Sequence, residues 1–388
     1  MAVSAATKIK VPNFKLVLTD ADNKFILDKT QEVLGSSRWT AGPMGSAFEE
    51  AFKKFSGAPH AVAISNGGAA LIAILQVLRI PQNSVVICPT LTAPPTPHAI
   101  LASNMRVLFC DSDSSDLGLD LQDLERKLDQ QAGQVKAVIA VHVGGWISPR
   151  IKQVQEVCEK HGALLIEDCA HAHGSFLNDR HAGSTAPMAA YSFFMTKSLT
   201  SGEGGIVTGK DSAPVEEIRI LRNYGKDQNG KHVIPGFNHK LSEFNAVVAL
   251  WASAHAGRLI GERRKVAALY DQGLKGVGGI RTVSVSGCDS GYYKYIVLAD
   301  SDRQRDVIKG KLLLDHGVEP SGGVYDTLCH EEPYFRSVPQ RVLNVTDSFP
   351  QAERVARRQF CLPLYPGLTR EDQDYVVESL TKVMRQIR

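Results

Sequence analysis

This sequence predicts an α/β fold: a large, mostly parallel sheet domain covered by helices, followed by a smaller α+β C-terminal domain. Three observations carry that reading. Between residues 60 and 168, short β-rich runs alternate with helical patterns. The runs are apolar on both faces, as strands buried between two helical layers are. A chain of 388 residues also exceeds the usual size of one domain.

Residues 1–58 read as an N-terminal arm with helices, one of them near 45–55 with Ala47, Phe48, Ala51, Phe52 and Phe55 at helical spacing. HAVAIS (60–65) leads to a helix over 68–78, VVICP (85–89) to one over 95–103, and RVLFCD (106–111) to one over 120–130. KAVIAVHV (136–143) precedes a helix over 148–161, and ALLIED (163–168) ends in a polar loop. Helices between parallel strands are right-handed crossovers. AAYSFF (189–194) continues the sheet, and a long helical stretch over 240–268 links it to the C-terminal unit. KYIVLA (294–299), a helix over 303–316 and a C-terminal helix after Thr369 make up that smaller unit. The expected division is 1–268, with the arm and linking helix, and 269–388.

The net charge is only +3, with both signs interleaved. That argues against nucleic acid or an anionic membrane surface as a partner. The start, MAVSAATKIK, has no apolar core of signal-peptide length. The longest apolar stretch, 61–78, is broken by Ser65, Asn66, Gly67 and Gly68, so it reads as strand, turn and helix rather than a membrane span. Seven cysteines without a CxxC pair suit free thiols in a reducing compartment, and no metal site is expected. A cytoplasmic enzyme fits this composition.

Ligands of open α/β sheets sit beyond the carboxyl ends of the strands. Ser65–Gly68, Asp168 and Ser192–Lys197 all fall at such ends. ISNGGAAL (64–71) is a strand, a glycine pair and a helix N-terminus, where backbone N–H groups and the helix dipole suit a phosphate. A glycine turn at such a place is more often only structural. In IEDCAHAHGS (166–175), Asp168 leaves the sheet while Glu167 points to the other face. A strand-end carboxylate commonly caps a helix or pairs with a cation; the sharper reading is a partner for a pyridinium nitrogen. His171 and His173, in the same loop, are by themselves ordinary structural histidines.

Most specific is SFFMTKSLTSGEGG (192–205). Most lysines are solvated surface charges, but Lys197 leaves an apolar strand into a turn rich in hydroxyls and glycine. Half-buried, its amine has a depressed pKa and can form an imine with an aldehyde.

The ordered series WTAGP (39–43), SNGGAAL (65–71), EDCAHAHG (167–174), SFFMTKSLTSGEGG, RNYGK (222–226), GFNHKLSEFNA (236–246), CHEEPYF (329–335) and LPLYPGLT (362–369) carries a resemblance. From about residue 20 the chain resembles the DegT/DnrJ/EryC1/StrS group of sugar aminotransferases, which have the fold of type I (aspartate aminotransferase-like) pyridoxal-phosphate enzymes. The resemblance implies pyridoxal 5'-phosphate as cofactor. It implies that Lys197 is the Schiff-base lysine and the acid/base between Cα and C4′, and that Asp168 pairs with the ring nitrogen. Gly67, Gly68 and Ser192 would hold the phosphate. Asn238 would reach the phosphate of a neighbouring subunit, so the unit would be a homodimer with shared sites. His171 stands where many members carry Gln beside the phenolic oxygen, as in some members making aminocyclitols or aminobenzoate-type precursors.

Three positions depart from the family's pattern. Gly68 replaces the usual Thr of SGTAAL. Ala93, in CPTLTAPPT (88–96), replaces an aromatic that stacks on the ring. Lys240 stands where Arg is common.

The activity implied is transfer of an amino group from L-glutamate to a keto-sugar, nucleotide-linked or of lipopolysaccharide type, by a ping-pong route. An aminocyclitol or other keto acceptor is the alternative. A sugar dehydratase of the same fold would carry His at the lysine position, and a regulator would favour a basic DNA-reading helix. The acceptor pocket is expected around Trp39, Ala93, His142 and His330, with a structural role equally open for the two histidines.

Overall fold

The computed structural model describes residues 8–387. The start of the expected N-terminal arm therefore lies outside the described residues. In chain order the strands are β1 (His60–Ile64), β2 (Val85–Pro89), β3 (Arg106–Cys110), β4 (Val135–Val141) and β5 (Leu164–Asp168). After them come β6 (Phe176–Leu177), β7 (Arg180–His181), β8 (Met188–Ser192) and β9 (Gly205–Gly209). The later strands are β10 (Ile280–Thr282), β11 (Cys288–Asp289), β12 (Tyr295–Ala299) and β13 (Gln359–Leu362). The main sheet has seven strands in the order β1–β9–β8–β5–β4–β2–β3. Two three-stranded sheets, β10–β12–β13 and β11–β6–β7, accompany it.

The early helices are α1 (Asp20–Ser36), α2 (Pro43–Ser56), α3 (Gly67–Val77), α4 (Pro95–Ala102), α5 (Leu121–Gln130), α6 (Ile151–Lys160) and α7 (Ser212–Leu221). The later ones are α8 (Glu243–Ala254), α9 (Ala256–Gly273), α10 (Asp302–His316), α11 (Pro333–Ser337), α12 (Pro350–Arg358) and α13 (Arg370–Gln386).

Strand alternation sorts the core into two layers. Val62, Ile64, Val86, Ile139, Ile166 and Val207 pack on one face with residues of α3, α4 and α7. Their sequence neighbours Ala61, Ala63, Val85, Val138, Leu165 and Ile206 pack on the other with α2, α5, α6 and α8. Burial on both faces is why these strands read as continuous apolar runs. A third cluster joins α9 to α10, α13, β12 and β13 through Tyr270, Leu312, Val376, Val297 and Phe360.

Four local expectations need correction. The stretch 240–268 is two helices, because the chain turns at His255 between α8 and α9. β9 was not anticipated: GIVTG is five residues long and bounded by glycine, too short to show a period. It runs against both neighbours, so β1 pairs with it antiparallel instead of joining a parallel ladder, although β1 and β8 point the same way. The fourth strand ends at Val141, and His142 already lies outside it, ahead of a turn in which Gly144 has φ 68°.

All seven cysteines are free. No helix among the described residues is long and apolar enough to cross a membrane.

Candidate active site

Strands β1, β2, β4, β5 and β8 share one direction, so their carboxyl ends meet along one edge of the sheet. That edge collects the three polar groups singled out in the sequence.

The first group is the start of α3. Asn66 caps this helix, its side chain accepting from Ala69 N–H at 2.8 Å. The helix start is pressed directly on the ends of β8 and β9. A Cβ on Gly67 would come within 2.9 Å of the Ser192 Cβ, and one on Gly205 within 2.6 Å of the Asn66 carbonyl carbon. Glycine is therefore required at 67 and 205 for the approach, which sets Gly67 against Ser192, with Gly68 next along the helix beside Asn66. The result is a cradle of backbone N–H groups at the positive end of a helix, suited to a phosphate.

The second group is Asp168, buried at the end of β5. Its Oδ2 accepts from Thr96 Oγ1 at 2.9 Å and its Oδ1 from Ala170 N–H at 3.1 Å. Thr96 in turn meets Thr92 Oγ1 at 2.9 Å. Burial pushes the Asp168 carboxyl up, while the two hydrogen bonds and the Lys197 ammonium oppose that rise. A buried carboxylate so held is prepared to face a cationic N–H.

Lys197 is the third. Burial pulls its ammonium down from 10.5 to about 8, Asp168 works against that, and Lys294 adds to it. Its Nζ lies 4.6 Å from the centre of the Tyr293 ring. His171 stacks on the same ring, with centroids 4.0 Å apart. Its Nδ1 accepts from Gly144 N–H at 3.4 Å. Tyr325 stacks more loosely against His171 at 5.5 Å and places its hydroxyl 3.4 Å from Nδ1. That hydroxyl also lies beside the Ala93 backbone, where the usual aromatic is missing.

The remaining predicted residues lie around this centre. His142 is buried and turned away, its Nε2 2.8 Å from Glu167 Oε2. The Glu167 carboxylate also accepts from Gly183, Thr185 and Ala186 N–H, which commits both oxygens to the protein. Cys169 is near enough to complete a metal-like trio with these two residues, but the carboxylate's oxygens are already spoken for. His330 is buried with Nδ1 2.7 Å from Thr90 Oγ1. Trp39 does not join the lysine: it is 55% exposed and packs edge-on against Phe244 of α8. His173 is buried among Phe52, Tyr191 and Phe193 with neither ring nitrogen bonded.

Asn238 is exposed, and its Oδ1 accepts from Lys240 Nζ at 2.7 Å. It does not cap the following helix; Ser242 does, accepting from Asn245 N–H. The loop stays near the cradle because Ser65 N–H donates to His239 O at 2.8 Å.

Sequence reasoning missed Thr96, Tyr293, Lys294 and Tyr325. For Thr96 a signal existed: a second threonine, Thr92, stands four residues ahead of it, just before α4 begins. For the others there was none, since roughly a hundred residues separate them from Lys197.

These residues fit pyridoxal phosphate. The N–H cradle that a Cβ would fill, the buried carboxylate and the amine of lowered pKa match its phosphate, ring nitrogen and aldehyde.

The model of the DegT/DnrJ/EryC1/StrS aminotransferase family matches residues 20–381. A pleiotropic regulatory protein of Geobacillus stearothermophilus is 28% identical over 93% of this chain and 94% of its own. GDP-perosamine synthase of Vibrio cholerae is 26% identical over 92% and 95%. Among solved structures, DesV of S. venezuelae in complex with a ketimine intermediate superposes with a TM-score of 0.87 at 28% identity, over 96% of this chain and 99% of that one.

Proposed function

This chain belongs to the DegT/DnrJ/EryC1/StrS aminotransferase family, and on that premise we propose that it moves an amino group from L-glutamate to a ketone on a sugar. One observation carries the reading: Lys197, with its amine lowered to about 8, faces the same buried site as Asp168. A GDP-sugar synthase among the relatives supports a nucleotide-linked acceptor.

Bound at this site, pyridoxal phosphate would supply an aldehyde that forms an imine with an amine and a ring that accepts carbanion charge. The chain's own residues do the rest. The N–H groups of Gly67 and Gly68, with Ser192, hold a phosphate at the start of α3. Asp168, fixed by Thr96 and Ala170, presents a carboxylate to a ring N–H. With the cofactor bound, Lys197 Nζ would be the group that accepts the proton from the donor's α-carbon and hands it on within the site. The lowered pKa leaves more of this amine uncharged near neutral pH than an ordinary lysine would have. His171, held by Gly144 and stacked on Tyr293, would be the residue beside the cofactor's phenolic oxygen. Lys197 also disfavours the dehydratase alternative, and an aminocyclitol acceptor fits the same residues.

The exposed loop carrying Asn238 and Phe237, with Tyr224 beside it, supports a two-fold dimer in which Asn238 reaches the partner's phosphate. The test of the function is spectroscopic. The purified protein should show a visible cofactor absorbance that shifts with L-glutamate and returns with the right keto-sugar. Lys197→Ala should lose both the absorbance and the transfer. Wild-type turnover by that variant would refute the assignment.

A further inference from the structure

We propose that Lys294 is the anchor for the α-carboxylate of the amino-acid donor. The inference rests on the aminotransferase reading and adds a binding residue to it.

Lys294 stands at the entry to β12, next to Tyr293. Its Nζ is 5.5 Å from the centre of the Tyr293 ring, the ring that Lys197 Nζ approaches at 4.6 Å and on which His171 stacks at 4.0 Å. Two ammonium groups and an imidazole therefore converge on one phenol. Among the described residues none gives Lys294 a hydrogen bond or an ion pair. The ionisable groups around it are Arg263, Lys197, His171, the Tyr293 phenol and the buried thiol of Cys361, with no carboxylate among them. Burial and Arg263 lower the Lys294 ammonium, and Lys294 in turn lowers those of Lys197 and His171. Fully buried cations elsewhere in the chain are partnered, whereas the half-buried Lys294 is not. Lys127 is paired with Asp123 at 3.2 Å, and Arg263 donates to the carbonyls of Tyr292, Tyr293 and Leu364.

The backbone that carries Lys294 is pinned to the rest of the site. Ser290 Oγ donates to Gly145 O at 2.9 Å, Gly291 N–H donates to Ser175 Oγ at 2.9 Å, and Arg264 Nε donates to Ser290 O at 3.0 Å. A rigid support with one free cationic side chain is what a binding contact needs.

Lys294 is half-buried and open to the site, so a bound anion would meet its ammonium in place of water. The cofactor's phosphate has its own cradle at the start of α3, on a different sheet from β12. The ring of a keto-sugar is neutral at the reacting carbon, and the diphosphate of a nucleotide-linked acceptor lies several bonds away from it. An amino-acid donor brings a carboxylate one bond from the carbon at which Lys197 works, so the lysine sharing the Tyr293 ring is placed to meet it. A lysine serves as a point charge of adjustable reach, where an arginine would demand a fixed fork.

The test uses cofactor-loaded enzyme, with Lys294→Met and Lys294→Arg beside wild type. Cofactor stoichiometry is checked first. The chromophore is then followed with L-glutamate and with benzylamine, an amine that has no carboxylate. Binding of glutarate, an unreactive dicarboxylate, is measured by calorimetry. Lys294→Met should lower the preference for glutamate over benzylamine by about tenfold or more and weaken glutarate by a similar factor, with Lys294→Arg recovering most of both. An equal loss toward both amines, or an undiminished glutarate affinity, would overturn the assignment. A wild-type chromophore that answers no amino acid would instead sink the aminotransferase reading, and this inference with it.

Discussion

Thr96, in the first turn of α4, donates its hydroxyl to Asp168 at the end of β5 across 2.9 Å. The bond joins two elements 72 residues apart in sequence and is one of only two that offset the burial of Asp168 from within the protein's neutral groups. Thr96→Val keeps the shape and removes the donor. The cofactor should stay bound while the half-reaction with glutamate slows by about ten- to a hundredfold, since a hydrogen bond to a charged group contributes about 1.5–3 kcal/mol. Stopped-flow absorbance measures this, and a rate within twofold of wild type would show that Thr96 does not orient the carboxylate.

Replacing Asp168 by Asn is the stronger form of the same change. Cofactor should still bind, because the α3 cradle is intact, but the proton shift should slow by about a hundred- to several-thousandfold if the charge is lost, on the order of 3–5 kcal/mol. Single-turnover kinetics with L-glutamate decide it.

Glu167 gives a prediction about stability. Its carboxylate accepts from His142 and from Gly183, Thr185 and Ala186, so Glu167→Gln turns an NH2 group toward buried donors. The unfolding midpoint in urea should fall, with about 2–4 kcal/mol lost. An unchanged midpoint would mean that the loop after β7 does not depend on this carboxylate.

Acid should unfold the protein through its buried histidines. Burial pushes His173 from 6.5 down to about 3 and His181 down to about 4. Both are neutral when folded and protonate more readily when unfolded, so the unfolded chain binds the extra protons. Their contribution is intact above the ordinary 6.5 and is lost as pH falls toward those lowered values, at about 1.4 kcal/mol per pH unit and group. His173→Phe, packed among the rings of Phe52, Tyr191 and Phe193, should flatten this slope between pH 6 and 4 by about one proton, as read from urea midpoints.

Shared sites predict complementation between inactive subunits. Lys197→Ala mixed with Asn238→Ala, the latter carrying any second change on the same 236–240 loop so that both act in trans, should after subunit exchange regain activity approaching about a quarter of wild type. One hybrid site would collect both defects and the other neither. No recovery despite proven exchange would leave Asn238 with only its contact to Lys240.

By itself the sequence determined the sheet and the residues at its carboxyl edge. Strands buried on both faces leave continuous apolar runs, and the chemistry at Gly67, Asp168 and Lys197 comes directly after β1, β5 and β8 or at their ends. Such local signals survive in one dimension. Tertiary structure alone decided that His142 is bound to Glu167 rather than free to meet substrate, and that β9 runs against the sheet. It also brought Tyr293, Lys294 and Tyr325 to the lysine. Those three come from segments about a hundred or more residues further on. No periodicity records a contact made only when β12 and the loop before α11 pack over the sheet's edge, because the partners share no local backbone geometry.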